Sequence, residues 1–292
     1  MNYMIRGNLK NKPIIFFVIT AKDTVEEMRK IHNSSPNATA CAGRSLMATA
    51  LIGYTMKNDS DMVTSIIDCD GEIKKVTVTA NSKGEVKCDI INPNTGIYLN
   101  DIGKLDVKKI VGNGTLKVIK DIGLRDPYVG ETKLVSGEIA EDYTYYFAMS
   151  EQTPSVVSLG VLLDNKDFFV KEAGGLIIQL LPDAKEEDIE YLEDKIKGLK
   201  YMTALLNEGK DPEDIIKYIF DDGEIELTDK KDVVYKCNCS KKKIEKVVLA
   251  LGKDELLKIL KEDHGITLKC HFCGKEYHLD EQELLNLINE AY

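Results

Sequence analysis

Four cysteines near the C-terminal end have the residue type and the spacing of a metal site. One residue separates Cys237 from Cys239, and two residues separate Cys270 from Cys273. Two such pairs can supply the four thiolates that a tetrahedral structural Zn²⁺ ion takes at about 2.3 Å. The spacing therefore predicts one zinc ion per chain, held by these four sulfurs.

The residues around the second pair indicate a tight turn. Gly274 directly follows Cys273, and glycine lets the backbone turn sharply and aim N–H groups at the sulfurs. His271 lies between the two cysteines and His278 just beyond them, so a mixed Cys/His site is an alternative. Four sulfurs already complete the shell, and we therefore expect neither histidine to be a ligand.

The pair Cys237-Asn238-Cys239 is tighter than most zinc ligand pairs, which two to four residues usually separate. Such close thiols can form a disulfide with only local rearrangement, and that reaction would expel the metal. A small module would then lose about 10 kcal/mol or more of folding free energy. Two alternatives remain: a structural zinc ribbon that serves as an interaction module, and a thiol oxidoreductase with a low-pKa cysteine.

The other three cysteines, Cys41, Cys69 and Cys88, occur singly in apolar or strand-like segments. We predict that they are buried as small hydrophobic residues. If Cys88 is exposed, it adds an oxidation site. No charged start with a long apolar run and no stretch of about 20 apolar residues is present, so we expect a cytoplasmic protein with reduced thiols and no membrane partner.

Charge separates the middle of the chain from the rest. The 292 residues have a formal net charge of -10, which argues against nucleic acid as a partner. Residues 183–231 contain 16 acidic and 8 basic side chains.

Apolar residues in this segment recur at spacings of three and four, which predicts one amphipathic helix through Ile189, Leu192, Ile196, Leu199, Met202 and Leu206. The run Asp211-Pro212-Glu213-Asp214 predicts the start of a second helix that stops at Gly223.

The first 182 residues predict an α+β domain of mixed order. Strand-like runs cover 14–19, 62–67, 73–79, 85–91, 115–119, 156–163 and 168–181, and helical runs cover 38–56 and 137–149. This domain has one histidine, His32, no Gly-rich phosphate loop and no nucleophile elbow, so we predict neither catalytic residues nor an enzyme. We expect Glu138, Glu141 and Asp142 to form a solvated helix face or to match the helix dipole.

The C-terminal residues predict a compact module around the cysteines. Ser240 is placed to cap a helix, strands 266–269 and 276–279 flank the second cysteine pair, and Asp280 with Glu283 resembles a capping box.

Several motifs resemble the thirty-three-kilodalton heat-shock protein family of redox-regulated bacterial holdase chaperones. They are Ser136-Gly137-Glu138-Ile139-Ala140-Glu141-Asp142, Tyr145-Tyr146-Phe147, Ser150-Glu151-Gln152-Thr153-Pro154-Ser155, Ala173-Gly174-Gly175, Gln179-Leu180-Leu181-Pro182, Cys237-Asn238-Cys239-Ser240 and Cys270-His271-Phe272-Cys273-Gly274. The resemblance covers essentially the whole chain. It departs at Lys87-Cys88-Asp89-Ile90 and at Lys241-Lys242-Lys243, where three lysines could stabilise the nearby thiolates.

The resemblance implies an ATP-independent chaperone that is inactive while reduced and zinc-bound. It implies that Cys237, Cys239, Cys270 and Cys273 hold the zinc and that oxidation forms Cys237–Cys239 and Cys270–Cys273 disulfides. Zinc release would unfold the C-terminal module and free the acidic helices, and the active form would be a homodimer that binds unfolded client proteins. We accordingly expect a chaperone core at 1–182, an acidic helical linker at 183–231 and a zinc-binding switch domain at 232–292.

Overall fold

The computed structural model describes residues 2–291 and the side chains through residue 289, and it divides into two compact units, Met1–Lys236 and Cys237–Tyr292. The elements of the first unit are β1 (Tyr3–Leu9), β2 (Ile14–Thr20), α1 (Lys22–His32), α2 (Pro36–Tyr54), β3 (Met62–Cys69), β4 (Lys75–Asn81), β5 (Glu85–Ile90), α3 (Lys108–Val111), β6 (Gly114–Asp121), β7 (Tyr128–Lys133), α4 (Ala140–Met149), β8 (Ser155–Leu163), β9 (Val170–Leu180), α5 (Glu186–Ile196), α6 (Met202–Asn207), α7 (Pro212–Ile219), β10 (Ile225–Asp232) and β11 (Val234–Tyr235).

The second unit contains α8 (Lys241–Leu249), α9 (Lys253–Asp263), β12 (Gly265–Lys269), β13 (Glu276–Asp280) and α10 (Glu281–Ala291). The α+β class predicted from the sequence is confirmed. Across residues 2–291, no helix combines the length and the apolar character that crossing a bilayer requires.

A five-stranded antiparallel sheet has the order β10-β1-β2-β9-β8. The apolar run of β2 is buried on both faces of this sheet. Phe17 and Ile19 belong to one core, and Phe16 and Val18 belong to a second core on the opposite face. The sheet therefore separates two hydrophobic layers, as expected for a strand with consecutive apolar residues.

Helix α2 lies in the first of these cores, against strands of both large sheets. Every residue of this helix except Arg44 is buried, and most of them are small, so strands approach it closely. The second sheet has the order β11-β5-β4-β3-β6-β7, and all its pairs are antiparallel except the one between β11 and β5. The predicted strands and helices of residues 14–181 are confirmed, with their ends shifted by a few residues.

The acidic middle segment covers the second core. Leu192 of α5, Leu205 and Leu206 of α6 and Ile215 of α7 are buried there together with Phe16 of β2. The apolar stripe predicted from the sequence is thus an inward face. The division of the chain at residues 182 and 231 stays a prediction.

The prediction of one continuous helix through Leu206 was wrong. Helix α5 ends at Ile196, Lys197 has an extended backbone, and Gly198 adopts φ +75°. A left-handed glycine ends a helix because the backbone leaves the helical path there. Helix α7 begins at Asp211 as predicted, where the side chain accepts the N–H of Asp214, but it ends at Ile219, before Gly223.

Sequence patterns did not reveal four strands of the first unit, namely β1, β7, β10 and β11. Strand β10 pairs antiparallel with β1, from Tyr3 opposite Asp232 to Leu9 opposite Ile225. Val233 follows β10 and is buried, and its N–H donates to the carbonyl of Asn2. The next two residues pair with β5, so this short stretch joins both large sheets.

The second unit has a small core of its own. Its five buried apolar residues are Val248, Leu256, Leu279, Leu284 and Ile288. The predicted helix after Ser240, the two strands and the Asp280/Glu283 capping box are confirmed, since each of that pair accepts the other's backbone N–H. Helix α9 was not predicted.

Candidate metal centre

Two short segments carry the four cysteines. Cys237 and Cys239 lie between β11 and α8, and the Ser240 side chain caps α8 by accepting the N–H of Lys243. Cys270 and Cys273 lie in the turn between β12 and β13, whose pairing runs to Lys269 opposite Glu276. The β12–β13 hairpin therefore fixes the position of Cys270, the first cysteine of the second pair.

The turn of the second pair is held by backbone hydrogen bonds. Cys270 N–H donates to the Lys275 carbonyl at 2.9 Å, and Gly274 N–H donates to the Cys270 carbonyl at 2.8 Å. Gly274 adopts φ +70°, a conformation that favours glycine. The glycine is needed as predicted, but its N–H binds a carbonyl oxygen, and the N–H that reaches the Cys273 sulfur is that of Lys275.

All four sulfurs lie within 4.8 Å of one another. The Cys237 and Cys270 Sγ atoms are 3.7 Å apart, and the Cys239 and Cys273 Sγ atoms are 3.4 Å apart. A tetrahedral ion with zinc–sulfur bonds of about 2.3 Å requires sulfurs separated by about 3.8 Å. The cluster could therefore hold a metal ion, and its size and donor type fit zinc.

Hydrogen bonds orient these sulfurs. The Cys239 N–H donates to the Cys237 sulfur, and the Tyr277 hydroxyl donates to the Cys239 sulfur at 3.1 Å. Donors around thiolates stabilise their negative charge and fix their direction. Tyr277 lies on the short strand β13, three residues before Asp280, and its sequence context gave no sign of this contact.

The thiols differ in acidity. Burial raises the pKa of Cys237 to about 12. Burial also opposes ionisation of Cys239, but the hydroxyl of Tyr277 and the neighbouring cysteines outweigh it and lower the pKa of Cys239 to about 7. The hydrogen bond to Cys239 raises the pKa of Tyr277 to about 12. Cys239 thus ionises more readily than Cys237 and Cys273.

The neighbouring histidines and lysines lie outside the sulfur cluster. His271 is exposed, and His278 is bonded through Nδ1 to the Thr267 hydroxyl at 3.0 Å. Lys241 forms an ion pair with Glu283, so its charge is already paired with a carboxylate. Cys270 is buried, whereas the other three cysteines of the cluster are only half-buried and remain accessible to small oxidants.

The single cysteines have different surroundings. Cys41 and Cys88 are fully buried as predicted, and burial raises the pKa of both thiols, so the exposure that an oxidation site at Cys88 would require is not present. Cys69 is half-buried, and its thiol donates to the Lys74 carbonyl. The prediction of burial therefore holds fully for two of these three residues.

One acidic residue of the first unit also differs from expectation. Asp142 is buried, and its carboxylate accepts the backbone N–H groups of Val135, Ser136, Gly137 and Ile139. It lies in the first turn of α4 and accepts the N–H of the N-cap residue, which agrees with the helix-dipole alternative, but it is buried and so does not belong to a solvated face.

The chain combines a mixed α/β unit with a small C-terminal module that carries four clustered cysteines. Its class is therefore a two-unit protein with a candidate thiolate metal site. The profile of the family described as Hsp33 protein matches residues 2–280. The chain belongs to the Hsp33 family.

Relatives resemble the chain over nearly its whole length. A protein of Clostridioides difficile named 33 kDa chaperonin is 47% identical over 290 residues, which is 99% of each chain. A protein of the same name from Caldanaerobacter subterraneus subsp. tengcongensis is 44% identical, again over 99% of each. The crystal structure of the 33 kDa chaperonin of Thermotoga maritima, also titled a heat shock protein 33 homolog, has a TM-score of 0.91 and 34% identity, and the match covers 99% of this chain and 98% of that one.

Proposed function

We propose that this protein is a redox-regulated, ATP-independent holdase chaperone of the cytoplasm. The observation that carries the proposal is the cluster of four cysteine sulfurs within 4.8 Å, three of them half-buried, in a unit with a very small core. In the reduced form Cys237, Cys239, Cys270 and Cys273 hold one Zn²⁺ ion, which supplies folding free energy to this unit.

Oxidation begins at an ionised thiol. Cysteines that hold zinc are already thiolates, and Cys237, Cys239 and Cys273 are only half-buried, so a small oxidant can reach them. A thiolate attacks hydrogen peroxide and becomes a sulfenic acid, and a neighbouring thiolate then displaces its oxygen. In forming each disulfide, two thiolates give two electrons to one peroxide molecule, which takes up two protons and leaves as two water molecules.

The family resemblance assigns the two disulfides to Cys237–Cys239 and Cys270–Cys273. The shortest sulfur distances given above join the two pairs crosswise, at 3.7 and 3.4 Å, so geometry alone does not favour the local pairing. Local pairing is supported by chain connectivity, since each bond closes a loop of only a few residues.

Disulfide formation removes the thiolates that hold the zinc ion. Five buried apolar side chains then remain to stabilise the second unit, and a structural zinc ion contributes about 10 kcal/mol or more. We therefore expect the oxidised unit to unfold, and the middle segment that precedes it to loosen. That segment consists of three short helices with many acidic side chains, which gives it little stability of its own.

Release of the middle segment would expose two apolar surfaces. One is its own inward face, including Leu192, Met202 and Leu206, and the other is the sheet face beneath it, including Ile5 and Phe16. Apolar surfaces of this kind bind unfolding client proteins and can also join two oxidised chains in a homodimer.

The test uses the full-length reduced protein, treated with peroxide at mild heat. We expect release of about one zinc ion together with suppression of aggregation of a heat-denatured client, both reversed by a dithiol and zinc. The Cys69→Ser variant serves as the matched control and should behave like the unchanged protein. Zinc release without suppression would instead support a zinc-stapled interaction module.

A further inference from the structure

Strand β8 forms one edge of the five-stranded sheet and carries no charged residue. The opposite edge strand, β10, contains five charged side chains among its eight residues. The edge strand β7 of the second sheet contains Glu131 and Lys133. Charged residues on edge strands prevent pairing with other chains. The edge strand β11 also has no charge but is only two residues long, so β8 is the long edge of the two large sheets that lacks this protection.

The hydrogen bonds of β8 leave one set of backbone groups facing away from its partner strand. Leu180 N–H donates to the Pro154 carbonyl, and this bond sets the alternation along the antiparallel pair. Val157, Leu159 and Val161 consequently direct their N–H and C=O groups away from β9. Among the hydrogen bonds of residues 2–291, none engages these groups.

A cavity of about 750 Å³ runs along this free edge. Residues 157–164 form one side of it, the loop 97–105 forms another, and Tyr201, Met202 and Thr203 of the middle segment form a third. Its volume is in the range of sites that hold ligands of peptide-fragment size.

The walls of the cavity include exposed apolar side chains beside charged ones. Leu99 and Ile102 of the loop are 60% and 64% exposed. Asn100 holds this loop in shape by accepting the N–H groups of Ile102 and Lys104 through its side chain. Tyr201 on the facing wall is 63% exposed, and the Lys104 ammonium lies 3.0 Å from its ring centroid. The apolar surface is therefore a built part of the fold.

We propose that the free edge of β8 binds an extended, uncharged, apolar segment of a client polypeptide, which adds to the sheet as a sixth strand. Its backbone would pair with Val157, Leu159 and Val161, and its side chains would contact the loop around Leu99. The occupant is an extended polypeptide because unpaired donors and acceptors at every second residue match the repeat of another strand. Its identity as a client rests on the proposed function.

Three backbone pairing positions give only weak binding by themselves. Holding a client then requires a second surface, and the released middle segment supplies one. When both surfaces bind the same client chain, the overall affinity exceeds that of either contact alone. The edge is open in the structure described here, so its binding can be measured without oxidation.

The experiment measures fluorescence anisotropy of a labelled short peptide of alternating valine and threonine with the full-length reduced protein. The comparison probe is the same peptide with every second backbone nitrogen methylated. It keeps the side chains but lacks the N–H donors along one edge. We expect the N-methylated peptide to bind at least tenfold more weakly. Equal affinity of the two peptides would overturn the proposal.

Two variants change the edge, and one serves as a control. Ser158→Lys adds the charge that β8 lacks, and Val157→Pro removes an outward N–H while sparing the bonds to β9. Each should weaken peptide binding at least tenfold. Val129→Lys places the same charge on β7, where the side chain is 57% exposed, and should bind as the unchanged protein does. Thermal unfolding verifies that each variant folds. If Val157→Pro does not fold, Ser158→Lys alone tests the proposal.

Two further results would overturn the proposal: full peptide binding by a folded Ser158→Lys variant, and a reduced dimer in sedimentation that Ser158→Lys dissociates, since a second copy would then occupy the edge. Failure of the proposed function is distinguishable. It would appear as lost holdase activity after oxidation while the reduced protein still binds the peptide.

Discussion

The Tyr3 hydroxyl of β1 donates a 2.6 Å hydrogen bond to the Glu213 carboxylate of α7. Lys230 of β10 pairs with the same carboxylate at 2.8 Å, and its ammonium lies 3.9 Å from the Tyr3 ring centroid. Three elements of the first unit thus meet at one partly buried acid. This contact joins the acidic helices to the sheet beneath them.

Replacing Tyr3 by phenylalanine should loosen α7. The change removes one hydrogen bond to a charged group, worth about 1.5–3 kcal/mol, while the ring remains to pack. Hydrogen exchange of the α7 amides should accelerate roughly tenfold or more. Tyr145→Phe, at an exposed position on α4, is the control and should leave α7 unchanged. Unchanged α7 protection in Tyr3→Phe would show that apolar packing alone holds the helix.

Acid should loosen the same helix. Burial would raise the pKa of Glu213, but hydrogen bonds from Lys230 and Tyr3 outweigh it and hold that pKa below its ordinary value of 4.5. A carboxyl with a lowered pKa in the folded state stabilises at higher pH, and this stability is lost as pH falls below 4.5 and through the folded value. Exchange of α7 amides should accelerate over that range in the unchanged protein. In Glu213→Gln the pH dependence should be much smaller.

Tyr277→Phe should weaken metal binding without removing a ligand. The Cys239 sulfur loses the hydroxyl donor at 3.1 Å, which lowers its pKa in the structure. Loss of such an outer contact typically costs about 10- to 100-fold in metal affinity. Competition with a chromogenic zinc chelator measures the change. Tyr128→Phe, on an exposed position of β7, is the matched control, and equal affinities of both variants would contradict a role for Tyr277.

Thiol labelling should divide the seven cysteines by burial. Cys41 and Cys88 are inaccessible and their pKa values are raised, so mild alkylation of the native protein should leave both unmodified. Cys69 is half-buried and should react slowly. Mass spectrometry of peptides after brief peroxide treatment should locate disulfides only in 237–273. A disulfide that includes Cys41 or Cys88 would show that the first unit opens as well.

Asp142→Asn should destabilise the first unit. The carboxylate accepts four backbone N–H groups in a buried loop, and an amide that must point its own donors at these groups cannot replace it. We expect a loss of about 3 kcal/mol in unfolding free energy, measured by denaturant titration. Glu141→Gln, at the exposed neighbouring position, should cost little.

Spacing and capping signals were sufficient for the cysteine pairs, for the elements of the second unit other than α9, and for the start of α7. Asp211-Pro212 marks a helix start because the carboxylate and the missing N–H act within one turn, and the cysteine pairs mark a site because few spacings permit four sulfurs to converge. Such local patterns depend on neighbours in sequence. The four-cysteine cluster and its neighbours could therefore be predicted without the fold.

Features set by distant contacts could not be predicted in this way. The spacing of apolar residues at three and four continues past Gly198, where the helix ends, because α5 and α6 bury residues in the same core. Strand β10 has only two apolar residues, Ile225 and Leu227, and ends in four consecutive charged residues, so only its pairing with β1 makes it a strand. Asp142 has the sequence context of a helix start, and the loop that folds around it is not visible in the pattern.

The pairing of β1 with β10 has a consequence for synthesis of the chain. Synthesis runs toward the C-terminal side, so Tyr3 leaves the ribosome 229 residues before its partner Asp232. Until then, β1 is an edge strand with free backbone groups and apolar neighbours, which is a state prone to aggregation. The nascent protein therefore passes through a period in which it needs the kind of protection that we propose it gives to others.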